Sequence, residues 1–373
     1  MSHRILILGG TGGTGRKIVR ALQQLMPEAT IHTGGRSHPL QPTGYGVEHI
    51  NIDVCRDDQQ QGKILSGYDL VILSLGPFTT IQTRAHELCI RAGVDCLDVN
   101  DCPLAARKIF KLADTASAAN VRILTGMGLN PGMSTALIHL LAGISGGPIS
   151  EAHVRLFAGR NEPAGPAATE TMIHGLRLQA CELADGREIL VPALDKSNLE
   201  QETFPTLGKP VSAVQCFSAE AALMEEEHTM GELPPVAGRI TYRMHCEGMP
   251  LWIAGLLRAF PAEKYPAITS FLTRLFYRLH EKGGGSANGL SRSILLVRAQ
   301  GASGSLYSFA TGESTFGMTG AFAAAVAREH LKATAAMAPG VYSISQRFPW
   351  IKNIPSSLEK LRLSLGYFKQ EAL

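Results

Sequence analysis

The stretch RILILGGTGGTGRKIVRAL, residues 4–22, decides how the rest of the chain is read. Arg4–Leu8 is almost continuously apolar, with no polar alternation, as a strand buried on both faces requires. Then comes GGTGGTG at Gly9–Gly15, followed by a helical pattern that sets Ile18, Val19, Leu22 and Leu25 on one stripe. Glycines between a strand and a helix permit a tight turn and let the backbone approach a pyrophosphate, while the helix start offers N–H groups and the positive end of a dipole. Gly10, Gly12 and Gly15 satisfy G-x-G-x-x-G, and Gly9, Gly12 and Gly15 satisfy G-x-x-G-x-x-G. The expectation is a dinucleotide site formed by Gly10, Thr11, Gly12, Gly13, Thr14 and Gly15. The alternative is a turn that only packs helix on strand.

Outward from this turn, short β-type runs alternate with helical patterns. Strands are predicted at Arg4–Leu8, Ala29–Thr33, Val47–Asn51, Asp69–Ser74, Val94–Asp98 and Val121–Leu124, with helices over Thr14–Met26, Asp57–Leu65, Thr80–Ala92 and Pro103–Ala119. This alternation predicts an α/β fold, a Rossmann-type doubly wound parallel sheet. Past Gly126 the rhythm changes. Strand candidates follow at Ala152–Ala158, Glu188–Val191, Ser212–Phe217 and Arg239–His245, with helical patterns at Thr169–Leu183 and Leu256–His280 and a flexible connection at Gly283–Gly289. A hairpin from Ser293, an alanine-rich helix over Thr319–Ala336 and an irregular tail complete the chain. The expected organisation is an NADP-binding Rossmann domain over 1–126, an α+β substrate and dimerisation domain over 127–308, and a C-terminal helix and tail, 309–373, packing back on the first domain.

The end of the second strand tests cofactor preference, because an NAD-preferring site places Asp or Glu there to bond the ribose hydroxyls. This chain has Thr33-Gly34-Gly35-Arg36-Ser37, with no acid. Arg36 and Ser37 suit a 2′-phosphate, so NADP(H) is the expected cofactor. Asp53, just past the third strand, is either an adenine-side contact or a turn-forming aspartate. In a doubly wound sheet the ligand lies across the carboxyl ends of the strands, which puts the loop Ser74-Leu75-Gly76-Pro77-Phe78 beside the nicotinamide half. The alternative is an ordinary connecting loop.

Taken with GGTGGTGRKIVRAL, three further runs, LSLGPF ending at Phe78, ELCIRAGVDCLDVNDCP over Glu87–Pro103 and GMGLNPGMS at Gly126–Ser134, give the chain its resemblance to the saccharopine dehydrogenase-like family, of the saccharopine reductase type. The resemblance is clear over residues 1–140 and fainter at Ala167–Leu176, Ala213–Glu220 and Met318–Ala327. It implies a substrate domain inserted after the sixth strand and a C-terminal helix that returns to the Rossmann domain. It also implies hydride transfer to or from a C=N bond of an amino-acid or opine-like substrate, with Gly128–Gly132 framing the nicotinamide. Two departures stand out: Asn130 replaces an aspartate before Pro-Gly, which weighs against saccharopine itself as substrate, and Phe78 replaces the tyrosine of some relatives.

Hydride transfer asks the protein for orientation, a proton donor and exclusion of water. Asp101 is the first general acid/base candidate, although an aspartate before Pro103 also suits a helix cap. Cys102 and His174 are further candidates, each with a structural alternative. Arg155, Arg160 and Arg177 are the choices for pairing with a substrate carboxylate. No Tyr-x-x-x-Lys pair, His-x-x-x-His or G-x-S-x-G occurs, so no metal site or acyl-enzyme chemistry is expected. Two rival readings remain: a double-bond (enoyl) reductase acting on an apolar substrate, and an NADP-binding regulator without turnover.

With 373 residues, at roughly 150 per domain, the chain has room for two or three cores. Lys+Arg number 35 against 32 Asp+Glu, without runs of like charge, so nucleic acid is not an expected partner. Seven cysteines, with no C-x-x-C pair, suggest reduced thiols and a cytoplasmic location. No signal peptide or integral membrane segment is expected. The apolar segments Met249–Phe260 and Ile268–Leu279 read as core or dimer-interface helices, and a homodimer acting on a small-molecule substrate is expected. An interfacial membrane helix is the alternative for those segments.

Overall fold

Strands buried on both faces need sequences that are apolar at every position, and two such runs build the centre of the first sheet. Ile5–Leu8 and Leu70–Leu73 are all 0–1% exposed. The structure, a computed structural model, describes residues 2–36, 46–56, 59–147, 149–159, 170, 180–191, 199–216, 218–231, 236–247, 271, 274, 292–301, 304–344, 348 and 351–370. They fall into two compact units, Met1–Ala136 with Phe316–Leu363, and Leu137–Thr315 with Ser364–Leu373.

The first unit runs β1 (Arg4–Leu8), α1 (Gly13–Leu25), β2 (Thr30–Gly35), β3 (Glu48–Asn51), α2 (Gln59–Leu65), β4 (Leu70–Leu73), α3 (Phe78–Ile81), α4 (Arg84–Ala92), β5 (Cys96–Asp98), α5 (Pro103–Phe110), α6 (Ala113–Ala118) and β6 (Arg122–Leu124). Helix α7 (Met133–Ser145) then leads into the second unit. The sheet is parallel throughout, and a seventh strand, β15 (Gly340–Tyr342), joins β6 at its edge. From the other edge the order is β3-β2-β1-β4-β5-β6-β15, the doubly wound pattern with its switch point between β1 and β4. The alanine-rich helix, here α9 (Thr315–Ala333), lies almost wholly in this unit and packs on α1 at Gly320, where a Cβ would come within 2.7 Å of the Lys17 Cβ.

The second unit is built on a mixed sheet in the order β10 (Glu200–Glu202), β11 (Val211–Gln215), β12 (Val236–Cys246), β7 (Ile149–Ala158), β13 (Ser293–Gly301), β14 (Gly304–Gly312), β16 (Ser364–Gln370). The hairpin β8 (Ala180–Ala184) and β9 (Arg187–Val191) branches from β12. Helix α8 (Ala219–Thr229) is opened by Ser218, whose hydroxyl accepts from the Glu220 amide. A second short helix, α10 (Ile354–Lys360), precedes β16 in the chain and belongs to the first unit.

Several expectations are corrected. The helix predicted over Thr80–Ala92 is two helices, because Gln82 has φ 51° and breaks the ladder between α3 and α4. The one predicted over Pro103–Ala119 is interrupted between α5 and α6. The end of the helix expected at Thr169–Leu183 is strand β8, since Asp185 and Gly186, both at positive φ, make the tight turn that pairs it with β9. The tail is not irregular: β15 completes the first sheet and β16 pairs with β14. Residues Thr169, Thr171–Gln179, Met249–Phe260, Gly283–Gly289 and most of Leu256–His280 lie outside the described residues.

Candidate nucleotide-binding site

The carboxyl ends of β1, β4, β5 and β6 carry the loops of interest, and the glycine turn after β1 is held by contacts that only glycine allows. A Cβ at Gly15 would sit 2.2 Å from the Gly9 carbonyl oxygen, and one at Gly10 would sit 2.5 Å from the Thr33 methyl. Gly9, at φ +80°, would meet the Ser74 carbonyl oxygen at 2.3 Å, so the β1 and β4 loops touch across the switch point. Gly12 behaves differently. Its nearest obstacle is the Gly9 oxygen at 3.2 Å, and Gly13 has nothing within 4 Å. Gly12 caps α1 with no side-chain hydrogen bond, and the amides of the first helical turn, Gly13 to Gly15, have no acceptor within the helix. Glycines on the inner side of the turn thus close it, Gly12 ties back by donating its amide to the Gly9 carbonyl at 2.9 Å, and the open side lies at Gly13, where the helix start presents its amides. That combination fits a diphosphate, whose oxygens need donors and close backbone approach.

At the end of β5, Asp98 organises the neighbouring loops. Its carboxylate is fully buried and accepts from His86 Nε2 at 2.7 Å, the Asn100 amide at 2.8 Å and the Gly126 amide at 2.8 Å. Asn100, also fully buried, accepts from the Cys102 amide and donates to the Cys102 carbonyl. The Met127 amide donates to the Asp98 carbonyl. Past β6 the turn folds on itself: the Gly128 amide donates to Pro131, and Gly132, at φ +114°, could not carry a Cβ without meeting the carbonyls of Gly126 and Gly128 at about 2.6 Å. Asn130 donates to the Ser134 hydroxyl at 3.4 Å.

Asp101 projects from this region half-buried, and burial pushes its carboxyl up to about 6. Its alternative role as the cap of α5 is corrected, because Cys102 occupies the cap position. Burial also raises the Cys102 thiol, which therefore keeps its proton. Phe78 opens α3, is 4% exposed, and lies against the His86 ring at 6.5 Å. Ser74, Leu75, Gly76 and Pro77 form the rest of the β4 loop, with Pro77 capping α3.

The remaining predicted residues separate. Arg36 stands exposed just past β2. Asp53 makes the turn that was its alternative role: its carboxylate accepts from the Cys55 amide at 3.0 Å and faces Arg56 at 3.9 Å. Ser37, His174, Arg160 and Arg177 lie outside the described residues. Arg155, in the second unit, is only 3% exposed and is already paired with Glu200 at 3.0 Å and Glu202 at 3.3 Å, so it is not the open carboxylate partner expected from the sequence. The residue that sequence reasoning missed is His86. Its only sequence signal is its place on the buried stripe of α4 with Ala85, Cys89 and Ile90. Among the described residues no helix is long and apolar enough to cross a membrane.

No protein-family model and no curated protein sequence matches the chain. Solved structures do. Apo saccharopine dehydrogenase (L-Glu forming) from Saccharomyces cerevisiae matches with a TM-score of 0.64 at 15% identity, covering 98% of this chain and 100% of that one. Homospermidine synthase from Legionella pneumophila, solved in complex with NAD, gives 0.63 at 13%, covering 100% and 92%. An engineered D-amino acid dehydrogenase bound to NADP+ gives 0.52 at 16%, covering 94% and 96%. At these identities the likeness is one of fold: a Rossmann-type parallel sheet with a second, mixed-sheet unit, as in saccharopine dehydrogenase.

Proposed function

We propose that the chain is an NADP(H)-dependent oxidoreductase of saccharopine dehydrogenase-like type, acting on a C=N bond of an amino-acid or opine-like substrate. The observation that carries this reading is the division of labour in the glycine turn, closed by Gly9, Gly10 and Gly15 and open at Gly13, where the first amides of α1 begin. The fold neighbours, which by name are amino-acid and polyamine enzymes and include NAD and NADP+ complexes, support the reaction class.

In this reading the amides at the start of α1, with Thr11 and Thr14, hold the diphosphate, and Arg36 with Ser37 holds the 2′-phosphate. The loop Ser74–Phe78 and the turn Gly128–Gly132 flank the nicotinamide, which when bound supplies or accepts the hydride. Asp101, its carboxyl raised to about 6 by burial, exchanges a proton nearer to neutral pH than an ordinary carboxylate does, and in this reading it gives or takes one at substrate nitrogen. Cys102, as a neutral thiol beside it, is a second donor. His174 stays a proposal from sequence alone. A homodimer in the cytoplasm belongs to the same proposal; all seven cysteines are free thiols, which suits a reducing compartment.

Fluorescence titration tests the reading. Wild-type protein is expected to bind NADPH at least tenfold more tightly than NADH, about 1.4 kcal/mol. Arg36→Ala should remove that difference while leaving NADH affinity in place. Equal affinity for the two cofactors in the wild type refutes the NADP preference, and binding of neither removes the oxidoreductase assignment.

A further inference from the structure

Nothing in the sequence singles out His86, yet the structure sets it where the loops after β4, β5 and β6 meet. The side chain is fully buried on α4, and the carboxylate it bonds, Asp98, is fully buried too. Asp98 spends one oxygen on His86 and the other on two amides, Asn100 from the β5 loop and Gly126 from the β6 loop. The imidazole also lies against the Phe78 ring at the end of the β4 loop, with ring centroids 6.5 Å apart. One histidine–carboxylate pair therefore touches the loop that carries Phe78, the loop that carries Asp101 and the turn that carries Gly128.

The chemistry of the pair defines its role. With Nε2–H donating to Asp98, the carboxylate is held in one rotamer and both amide bonds on its other oxygen are fixed. Hydrogen bonds to a buried carboxylate are among the strong ones. The ring's Nδ1 is buried and, among the described residues, has no hydrogen-bond partner in the structure. A buried ring that forgoes one hydrogen bond to make another is an unfavourable arrangement that a merely space-filling residue would not need. Leucine or phenylalanine would fill the same interior position of α4 without that penalty.

We propose that His86 is a positioning residue, acting through Asp98 to set the loops that receive the nicotinamide half of the cofactor. This rests on the reading above, in which the nucleotide lies along the carboxyl ends of the strands. The adenosine half, on the glycine turn and Arg36, contacts none of the groups that Asp98 holds. The two halves of one ligand should therefore respond differently to loss of the pair.

The test measures NADPH and adenosine 2′,5′-bisphosphate, the fragment lacking the nicotinamide half, on wild-type, His86→Leu and His86→Gln proteins. His86→Leu is expected to weaken NADPH at least tenfold while the fragment stays within twofold of wild type. His86→Gln, which keeps an N–H donor, should recover part of the loss. A general loss of structure moves both ligands together, so parallel weakening, or no change in either, overturns the proposal. If the fragment fails to bind wild-type protein, the reading of the site fails instead, and the two failures are separate. Should neither variant fold, amide hydrogen exchange on the wild type decides. Asn100 and Gly126 should gain protection with NADPH and not with the fragment, and equal protection by both refutes the assignment.

Discussion

Exchanging two glycines of the turn for alanine, one at a time, should move stability in opposite directions, although the two lie two residues apart on the same first helical turn. At Gly13 the new Cβ meets nothing within 4 Å, and the residue opens α1. Alanine there gains helix propensity, up to about 1 kcal/mol. At Gly15 the new Cβ would stand 2.2 Å from the Gly9 oxygen and 2.6 Å from the Gly10 Cα, both backbone atoms that cannot rotate away. Overpacking of that kind costs about 3 kcal/mol at the upper end of its range. Set against the same ~1 kcal/mol propensity gain, Gly15→Ala should lose about 2 kcal/mol. The two variants should thus differ by about 3 kcal/mol. In a unit of this size that separates their melting temperatures by roughly 6–12 °C. Urea denaturation without cofactor reads this directly, and a thermal melt with saturating NADPH adds the binding consequence. Neither variant should show the wild-type rise with NADPH, Gly15→Ala because its turn is displaced and Gly13→Ala because its methyl enters the space left for the diphosphate. Gly15→Ala as stable as wild type, or less damaging than Gly13→Ala, would refute the argument that inner and outer glycines serve different ends.

Two further outcomes are expected. Burial lifts the Asp101 carboxyl to about 6, above its unfolded value near 3.9, so the folded state holds a proton that the unfolded state has released. Its contribution is present in full below about pH 4 and is lost as pH rises through about 6, up to ~3 kcal/mol. Denaturation midpoints of Asp101→Asn should lack that decline, and a wild-type profile matching the variant's over pH 4–6 would contradict it. Gly320→Val should destabilise the first unit by about 1–3 kcal/mol, because its side chain enters the backbone of α1 at Lys17 and Ile18. A thermal melt unchanged by that substitution would mean that α9 does not depend on the close approach.

What residues 4–22 determined is the centre of the first sheet and the phosphate turn, because both follow from local rules. An all-apolar run can only be buried on both faces, and glycines in that spacing leave room that no side chain would. The missing acid after β2 was equally local. Contacts between distant residues were not legible. β15 is only three residues long, too short for a period, and becomes a strand because β6 offers it an edge, more than 200 residues away in the chain. β8 reads as helix until the Asp185–Gly186 turn pairs it with β9. Arg155 looked like a free guanidinium because Glu200 and Glu202 are 45 and 47 residues further on, and only the fold brings them together. His86 is the clearest case. Sequence placed it only within the helix predicted over Thr80–Ala92, where its chemistry is indistinguishable from packing, and the fold alone set it 2.7 Å from Asp98, whose carboxylate bonds helix α4 to the loops after β5 and β6.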